Sequence, residues 1–487
     1  MKNRLKRNLI FSLLVVALAI GIVTIQSCSK NQDSLHQNPN ETMQLTDEAF
    51  QGGQNGTINL ATGLSFAQPI PGLTTGNEID FKVGRSFFHT SWVTAPSSTS
   101  AVDGLGPLFN AISCNSCHVE DGRGRTPFSP MESLSSVLIR LSIPGVGPHG
   151  GPNPDPELGF QLRNRSILQA TPDGDVFVTY TDKIIPFTDG TTDTLRVPTY
   201  QFVNLRNGHP VNFMFSPRIA NQLAGMGLLE AVPESTILSF ADENDKNNDG
   251  ISGRANYVWD EELQKTVPGR FGWKANQPSV RQQVAAALSG DIGITNPVEP
   301  LVNLFGSAKG LYSLLPDGSN KPGEQELPEP FFTNTVFYTQ ALAVPKRRNW
   351  TDAVVQKGKK IFAQATCNSC HIPEMKTGNF PSIPLLSNQV IHPYTDLLLH
   401  DMGNDLADNR SDFLATGSEW RTAPLWGIGL VSKVNNNNGM FLMHDGRART
   451  IEEAILWHGG EAQHSKQLFM NLPKEDRDAL IKFVNDL

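Results

Sequence analysis

The sequence predicts a mainly α-helical fold of two similar halves, with long loops and, in the first half, a β-rich insertion. A pentapeptide occurs twice, as Cys114-Asn-Ser-Cys117-His118 and as Cys367-Asn-Ser-Cys370-His371. Each pentapeptide is followed, further along the chain, by a sequence typical of a helix start, at Ser279 and at Thr450. Between about residues 140 and 212, β-branched and aromatic residues alternate with polar ones, which is typical of strands. The 42 glycines and 33 prolines among 487 residues indicate long ordered loops.

The repeated pentapeptide is a haem attachment motif. In C-x-x-C-H the two thiols add to the vinyl groups of one porphyrin, and the adjoining His binds its iron. A redox disulfide or a zinc site would use the cysteines but leave both histidines unexplained. We therefore predict two covalently bound haem c groups. Their attachment residues are, in chain order, Cys114, Cys117, Cys367 and Cys370, with His118 and His371 as the iron ligands.

Each half carries one anchor, so we predict two cytochrome c-like haem domains. The first covers residues 47–340 and includes the insertion, and the second covers residues 341–487. The repeat extends upstream of the anchors, because Phe109 and Phe362 both stand five residues before the first Cys. An apolar ring at that place is expected to pack on the porphyrin.

The chain begins with an export signal. A basic start is followed by the apolar stretch Leu9–Ile25 and then by Ile25-Gln-Ser-Cys28, which is similar to the processing box of bacterial lipoproteins. We expect residues 1–27 to be removed as a signal peptide, Cys28 to be lipidated, and residues 28–46 to form a tether. An uncleaved anchor helix is the alternative, although the apolar stretch is short for crossing a bilayer. Both arrangements place the folded part in the bacterial cell envelope, facing the periplasm or the surface.

The cysteine count bears on disulfides, and the net charge bears on the kind of molecule that the protein binds. Cys28 and the two haem pairs account for all five cysteines, so no thiol is left for a structural disulfide. Without residues 1–27 the chain carries 36 basic and 48 acidic side chains, a net charge of −12. This balance argues against nucleic acid and favours a basic redox partner, such as a cytochrome.

A second repeat concerns two helix starts. Trp273 stands six residues before Ser279, and His444 stands six residues before Thr450. Ser-x-x-Gln and Thr-x-x-Glu are capping boxes, so each hydroxyl is expected to begin a helix at the same distance from a large ring. In the second helix, four residues form one stripe at positions i, i+3, i+4 and i+7. They are Ile451, Ala454, Ile455 and His458.

The two helices differ at the last position of this stripe. We predict His458 as the second axial ligand of the second iron, with Met402 as the competing ligand. The equivalent residue of the first helix is Ala287, which cannot bind iron. The first haem is therefore predicted to stay open to a small molecule, with Gln283 and Asp291 as polar groups on its open side. Three other histidines are alternative sixth ligands of the first iron: His89, His149 and His209.

Two further candidate sites are weaker. Asp245, Asn247 and Asp249 stand at positions 1, 3 and 5 of a loop that resembles the start of an EF-hand, but position 12 is Asn256 where that motif has Glu. The loop is a candidate calcium site, and an Asx-rich turn is the alternative. Arg421 is a candidate partner for a haem propionate, with an ordinary surface arginine as the alternative.

Taken together, these motifs resemble the bacterial di-haem oxidoreductase family, also labelled thiol oxidoreductases, which is related to di-haem cytochrome c peroxidases and MauG-like proteins. The resemblance covers about residues 80–487. It rests on five segments: Gly104-Leu-Gly-Pro-Leu-Phe-Asn110, Asp249-Gly-Ile-Ser-Gly-Arg254, Gly269-Arg-Phe-Gly-Trp-Lys-Ala275, Leu398-Leu-His-Asp-Met-Gly403 and His444-Asp-Gly-Arg-Ala448.

The resemblance implies roles for several residues. In the related peroxidases a Met stands where this chain has His458, which implies a lower potential for the second haem. Those enzymes carry a Gln and then a Glu at the peroxidatic haem. Gln283 matches the Gln, and Asp291 stands near the Glu but out of register. Those relatives also hold a calcium ion between their domains.

The implied activity is reduction of peroxide at the first haem. Electrons would arrive through the second haem, past tryptophans such as Trp92, while Gln283 and Asp291 orient the peroxide and move a proton. Two alternatives are kept. One is MauG-like oxidation of a protein or thiol substrate, and the other is a di-haem electron-transfer lipoprotein without catalytic turnover.

Overall fold

The computed structural model describes residues 47–315 and 324–487. Glu48–Leu487 forms one compact unit. The predicted signal peptide, the lipidation site at Cys28 and the tether lie outside the described residues. Within the described part of the chain, the search for a helix long and apolar enough to cross a membrane finds none. The predicted domain boundary between residues 340 and 341 stays a prediction.

The predicted fold class, mainly α with two cytochrome c-like domains, does not describe the structure. Helix accounts for 31% and strand for 19%, and the strands are distributed over many small sheets. Several of these strands are only two residues long. Such short strands pair between Gly-rich and Pro-rich loops, and they contain too few residues to show the period-two alternation that reveals longer strands.

The helices of the described residues are short to medium in length. They are α1 (Gly53–Gly56), α2 (Thr75–His89), α3 (Met226–Glu230), α4 (Glu234–Ser239), α5 (Val280–Ala287), α6 (Phe331–Gln340), α7 (Ala353–Gln364), α8 (Val431–Val434), α9 (Ile451–Trp457), α10 (Gln463–Asn471) and α11 (Lys474–Asp486). A π-helical turn, Leu288–Ile292, directly continues α5.

In residues 47–315 and 324–487, the strands form small antiparallel sheets and one short parallel pair. In chain order they are β1 (Thr57–Ile58), β2 (Leu108–Phe109), β3 (Val137–Val146), β4 (Pro152–Asn153), β5 (Gln161–Leu162), β6 (Arg165–Ser166), β7 (Asp175–Pro186), β8 (Thr192–Val203), β9 (Met214–Ile219), β10 (Tyr257–Asp260), β11 (Lys265–Pro268), β12 (Val344–Pro345), β13 (Met375–Lys376), β14 (Val390–Ile391), β15 (Leu399–Asp401) and β16 (Glu419–Arg421). The parallel pair joins β1 to β12.

The β-rich stretch of the first half does fold as strands. Strands β7 and β8 form a long hairpin, in register from Asp175 opposite Val203 to Pro186 opposite Thr192. Strand β3 lies at the centre of a second sheet, paired with β4, β5 and β9. The alternation that predicted these strands is visible in β7, where Val176 and Val178 are buried.

Two helix pairs repeat one close contact. In the pair α2–α6, Gly84 lies against the backbone carbonyl of Asn334, and in the pair α7–α11, Gly358 lies against the backbone carbonyl of Ala479. A Cβ at either glycine would collide with that carbonyl. Only glycine therefore lets the two helix axes approach this closely.

An aromatic ring follows each of these glycines by one helical turn. The Phe88 ring lies 5.3 Å from that of Tyr338 and 6.2 Å from that of His118. The Phe362 ring lies 5.4 Å from that of Phe483 and 6.3 Å from that of His371. The structural counterpart of Phe362 is thus Phe88, so the prediction that it is Phe109, which lies in β2, is wrong. The two segments that join helix and anchor differ in length, because α7 ends three residues before Cys367 whereas α2 ends 25 residues before Cys114. Equal distances from the anchors along the sequence therefore do not give equivalent positions.

We predict that Gly84→Ala lowers the free energy of unfolding by about 1–3 kcal/mol, because the added methyl group forces α2 away from α6. Gly76→Ala is the matched control in the same helix, since a Cβ there meets nothing closer than Thr74 Oγ1 at 3.9 Å. The control should stay within about 1 kcal/mol of the parent protein. Thermal unfolding of both variants measures the difference, and equal midpoints would contradict the proposed close contact.

Candidate functional site

Both anchors form the same compact turn. Cys114–Ser116 is a 3₁₀ turn, and the His118 N–H donates to the Cys114 carbonyl at 3.0 Å. Cys367–Ser369 is its counterpart, with the His371 N–H donating to the Cys367 carbonyl at 3.0 Å. The turn brings the two thiols and the imidazole of each anchor to one side of the backbone. Each set lines a cavity of its own.

The two cavities are similar in size. Cavity 1, around Cys114, Cys117 and His118, has an empty volume of about 1260 Å³, including the space at its opening to solvent. Cavity 2, around Cys367, Cys370 and His371, has an empty volume of about 1420 Å³ by the same definition. Because the two cysteine pairs line different cavities, the four thiols do not form one zinc site.

Both anchor imidazoles are held in the same way. His118 Nδ1 donates to the carbonyl of Asn221 at 2.7 Å, and His371 Nδ1 donates to the carbonyl of Tyr394 at 2.9 Å. Burial lowers the pKa of both rings, that of His371 to about 4. The rings are therefore neutral near pH 7, and their Nε2 atoms carry the free lone pair. A protein that binds a metal through histidine commonly fixes the ring by such a carbonyl.

The anchor thiols are protonated rather than ionised. Burial raises the pKa of Cys114, Cys117 and Cys367 to about 12, and it also raises that of Cys370. A reactive redox pair or a thiolate metal site would instead lower these values. The paired neutral thiols, the imidazole Nε2 and the cavity beside each anchor all fit a haem.

One helix covers each cavity with the same stripe of positions. From α5, Val280, Gln283, Val284 and Ala287 line cavity 1. From α9 and its cap, Ile451, Ala454, Ile455 and His458 line cavity 2. Both predicted caps are present, since the Ser279 hydroxyl accepts from the Gln282 N–H at 3.1 Å and the Thr450 hydroxyl from the Glu453 N–H at 3.0 Å. The second sequence repeat is therefore a structural repeat.

His458 is placed at the end of its helix as a ligand would need. It caps α9 and lines cavity 2 together with His371. Its Nδ1 donates to the Ala454 carbonyl at 2.7 Å, which leaves Nε2 free, and burial lowers its pKa. Met402 lines the same cavity. Iron ligation by His458 stays a prediction, with Met402 as the competitor.

Cavity 1 has no second imidazole among its described lining residues. His89 lies 3.8 Å from Asp121, His149 stacks on Trp259 at 4.0 Å, and His209 Nε2 donates to the Asp155 carboxylate at 3.1 Å. None of these three alternative ligands lines cavity 1. The thioether of Met226 does line it, and the sequence analysis did not single out this residue.

The polar side of cavity 1 contains both predicted residues. Gln283 and Asp291 line it, and Asp291 lies in the π-helical turn after α5. The Gln161 amide donates to Asp291 Oδ1 at 2.8 Å. Burial raises the pKa of Asp291, while Arg140 opposes that shift. Such π-helical turns are common at functional sites. Because α5 does not continue as a regular α-helix here, the Asp291 carboxyl group does not lie where an α-helix would place it.

Arg140 and Gln161 are site residues that sequence reasoning missed. They stand directly opposite each other in the β3–β5 pair, and Arg140 lines cavity 1. Both come from the β-rich insertion, more than 100 residues before Asp291. No local motif marks them, because only the pairing of β3 with β5 and the packing of this sheet bring them to the site.

One tryptophan lines both cavities. Trp273 borders cavity 1 and cavity 2, and its indole N–H donates to the Ile219 carbonyl at 2.8 Å. The guanidinium of Arg123 lies 5.0 Å from the centre of its ring. Trp92, predicted for this place, is 2% exposed, packs in a hydrophobic core and lines neither cavity. That prediction is wrong, because the buried Trp92 ring packs among core residues instead of bordering either cavity.

Cavity 2 is bordered by positive groups. Arg421 lines it, donates from Nε to the Gly272 carbonyl at 2.8 Å, and is buried, which lowers its pKa to about 10. His400, which the sequence analysis did not single out, lies between Asp396 at 2.8 Å and Glu461 at 2.7 Å. Although burial alone would lower it, these two carboxylates raise the pKa of His400 well above its ordinary value. The His400 charge is thus already matched by these two carboxylates, whereas Arg421 forms no ion pair with a described residue and suits an acidic propionate.

The candidate calcium loop closes on itself. The Asp245 carboxylate accepts from the backbone N–H groups of Asp249 and Gly250 at 2.9 and 3.2 Å. Asn247 Nδ2 donates to Asp249 at 3.0 Å. Asn256, at position 12, is buried and donates to the carbonyls of Lys274 and Asp412. These bonds are those of an Asx-rich turn, and calcium binding stays a prediction.

Two similar cavities, each with its own C-x-x-C-H turn, fixed imidazole and covering helix, define the class of protein as one that holds two haems. The chain belongs to the di-haem oxidoreductase family: the family model described as "di-haem oxidoreductase, putative peroxidase" matches residues 46–487. The resemblance seen in the sequence is thereby confirmed, and the family implies haem cofactors and an oxidoreductase activity. No curated protein and no solved structure matches the chain.

Because His458 and Ala287 occupy equivalent positions, exchanging their side chains should have opposite effects on the two haems. In the haem-loaded protein, His458→Ala should turn one low-spin ferric signal into a high-spin or water-ligated one, because the imidazole opposite His371 is gone. Ala287→His should do the reverse in cavity 1. Optical and electron paramagnetic resonance spectra measure both changes.

Met402→Leu is the matched control for these spectra, since Met402 lines the same cavity as His458. It should leave the signals unchanged. If Met402→Leu altered the second signal and His458→Ala did not, Met402 would be the ligand. Two haems per chain in each variant would show that attachment is intact.

Proposed function

We propose that this oxidoreductase reduces peroxide in cavity 1 with electrons that pass through cavity 2. One observation carries the proposal. The last position of the covering stripe is His458 over cavity 2 and Ala287 over cavity 1. Two imidazoles suit a centre that only transfers electrons, whereas a cavity without a second imidazole leaves room for a small oxidant.

The proposed roles of the anchors follow from their chemistry. Cys114 and Cys117 would attach the first haem covalently, and His118 would hold its iron. Cys367 and Cys370 would attach the second, with His371 and His458 as the iron ligands. When bound, the haem groups supply the redox chemistry, and the protein sets ligation, access and proton supply.

The polar groups of cavity 1 provide proton supply and orientation. The Gln283 amide, which makes no hydrogen bond to another described side chain, is available to orient a peroxide. Asp291 has a raised pKa and so keeps a proton at a higher pH than an ordinary Asp. It is the proposed donor to the leaving oxygen, held in place by Gln161. The Arg140 charge would stabilise negative charge that develops nearby.

Electrons are proposed to pass between the cavities by way of Trp273, the ring that borders both. The external donor is proposed to be a basic redox protein, because the exported chain would be acidic. Lipid anchoring through Cys28 in the bacterial cell envelope completes the proposal and rests on the sequence alone.

Turnover of the haem-loaded protein with peroxide and a reduced basic cytochrome c tests this function. Asp291→Asn should lower kcat by about 100-fold or more, as expected when a general acid is lost. Because burial raises the Asp291 pKa, the parent enzyme should lose activity as pH rises through that pKa and the carboxyl group deprotonates. The Asn variant should lack this limb of the pH profile.

Asp182→Asn, at an exposed position of β7 outside both cavities, is the control and should keep the parent pH profile. Failure of the parent protein to turn over peroxide, together with two six-coordinate irons, would leave an electron carrier. Turnover with a thiol or protein donor, but not with the cytochrome, would instead favour MauG-like oxidation.

A second prediction concerns the ring between the cavities. Trp273→Phe should slow electron transfer from the second to the first haem, because it removes the indole and its hydrogen bond to Ile219. Trp92→Phe is the matched control, since this buried tryptophan lines neither cavity. Stopped-flow spectra of the half-reduced protein after mixing with peroxide measure the rate. Equal rates in both variants would exclude Trp273 as the path.

A further inference from the structure

A third cavity adjoins cavity 1, and we call it the antechamber. Its empty volume is about 1210 Å³, including the space at its opening to solvent. Arg140, Asn276 and Gln277 line both the antechamber and cavity 1. A molecule in the antechamber would therefore lie beside the open side of cavity 1.

One wall of the antechamber carries two guanidinium groups whose hydrogen-bonding capacity is not fully used. Arg140 and Arg163 both line it, and they lie on the same face of the sheet because Arg140 pairs with Gln161 and Arg163 follows by two. The Arg140 guanidinium makes no hydrogen bond or ion pair with a described residue. Arg163 binds Asp173 through Nε at 2.9 Å, but its buried Nη2 has no partner in the described structure. A buried donor of this kind remains available to bind an anion.

Another part of the lining carries negative charge. Glu261 and Glu299 both line the antechamber, and neither forms an ion pair with a described residue. Burial and the neighbouring Glu261 raise the pKa of Glu299 to about 7. Two carboxylates in one lining, neither of them ion-paired with a described residue, favour a positively charged group beside them.

Aromatic rings form the apolar part of the lining. Phe160 and Phe305 meet edge to face at 5.6 Å, and Trp259 stacks on His149 at 4.0 Å. Both pairs line the antechamber. An apolar body of ring size would pack against these surfaces.

We propose that the antechamber binds a zwitterion, namely an amino acid or a short peptide with an apolar side chain. Its carboxylate would pair with Arg140 and Arg163, its ammonium group with Glu261 and Glu299, and its side chain would contact the aromatic rings. A ligand with both charges would meet the free guanidinium donors and the two carboxylates at once. This site goes beyond the proposed peroxidase function, and its test does not depend on turnover.

Calorimetry of the haem-loaded protein near neutral pH, with three probes of the same phenethyl body, tests the proposal. L-phenylalanine carries both charges, 3-phenylpropionate only the negative one, and phenethylamine only the positive one. L-phenylalanine should bind at least about tenfold more tightly than either other probe. Absence of phenylalanine binding, or equal affinity for all three, would overturn the proposal.

Two charge variants assign the ends of the ligand. Arg140→Gln should remove the advantage of phenylalanine over phenethylamine, and Glu299→Gln should remove its advantage over 3-phenylpropionate. Lys265→Gln, on exposed β11 and outside the lining, should change neither ratio. Retention of both ratios in the two charge variants would refute the assignment.

A third variant tests the location of the ligand without removing a charge, so the test does not depend on the folding of the charge variants. Ala286 lines the antechamber but not cavity 1, so Ala286→Phe should fill the antechamber without changing either anchor. This variant should lose phenylalanine binding while it keeps two haems per chain. Unchanged binding would place the ligand elsewhere and overturn the proposal.

Discussion

The hydrogen bond from an imidazole Nδ1 to a backbone carbonyl is the interaction on which both centres depend. His118, His371 and His458 each make it, over 2.7, 2.9 and 2.7 Å. A buried polar nitrogen without a partner costs about 1–3 kcal/mol, so each ring keeps this bond and turns its other nitrogen toward a cavity. The carbonyls belong to distant loops for the two anchors and to the preceding helical turn for His458. The backbone thus fixes ring orientation before any metal binds.

The sheet around β3 is attached to the second half by buried polar contacts. Arg410 Nη2 donates to the Leu141 carbonyl of β3 at 3.2 Å, and Arg218 of the paired strand β9 forms an ion pair with Asp412 at 2.7 Å. Breaking such a pair by removing one partner costs about 3–5 kcal/mol, because a buried charge is left alone. The sheet that carries Arg140 and Gln161 is therefore held rigidly beside cavity 1. The insertion contributes to the chemistry of the site as well as to the fold.

The two halves keep one plan but differ where function requires it. Each has a glycine-mediated helix contact, a ring one turn later, an anchor turn and a capped covering helix. The difference lies in single positions, such as His458 against Ala287, and in the insertion that only the first half contains. Similar backbones can therefore hold one closed centre and one open centre. The two centres therefore differ mainly in the side chains that occupy equivalent backbone positions.

The sequence by itself determined the anchors, the two capped helices and the stripe that ends at His458, because each depends on neighbours within about two helical turns. Tertiary structure decided the rest. Phe88 replaces Phe109, Trp273 replaces Trp92, and the many two-residue strands make the fold mixed instead of mainly α. Arg140 and Gln161 reach Asp291 only through strand pairing and packing. Contacts between residues far apart in the chain depend on how loops close, and local patterns do not encode that closure.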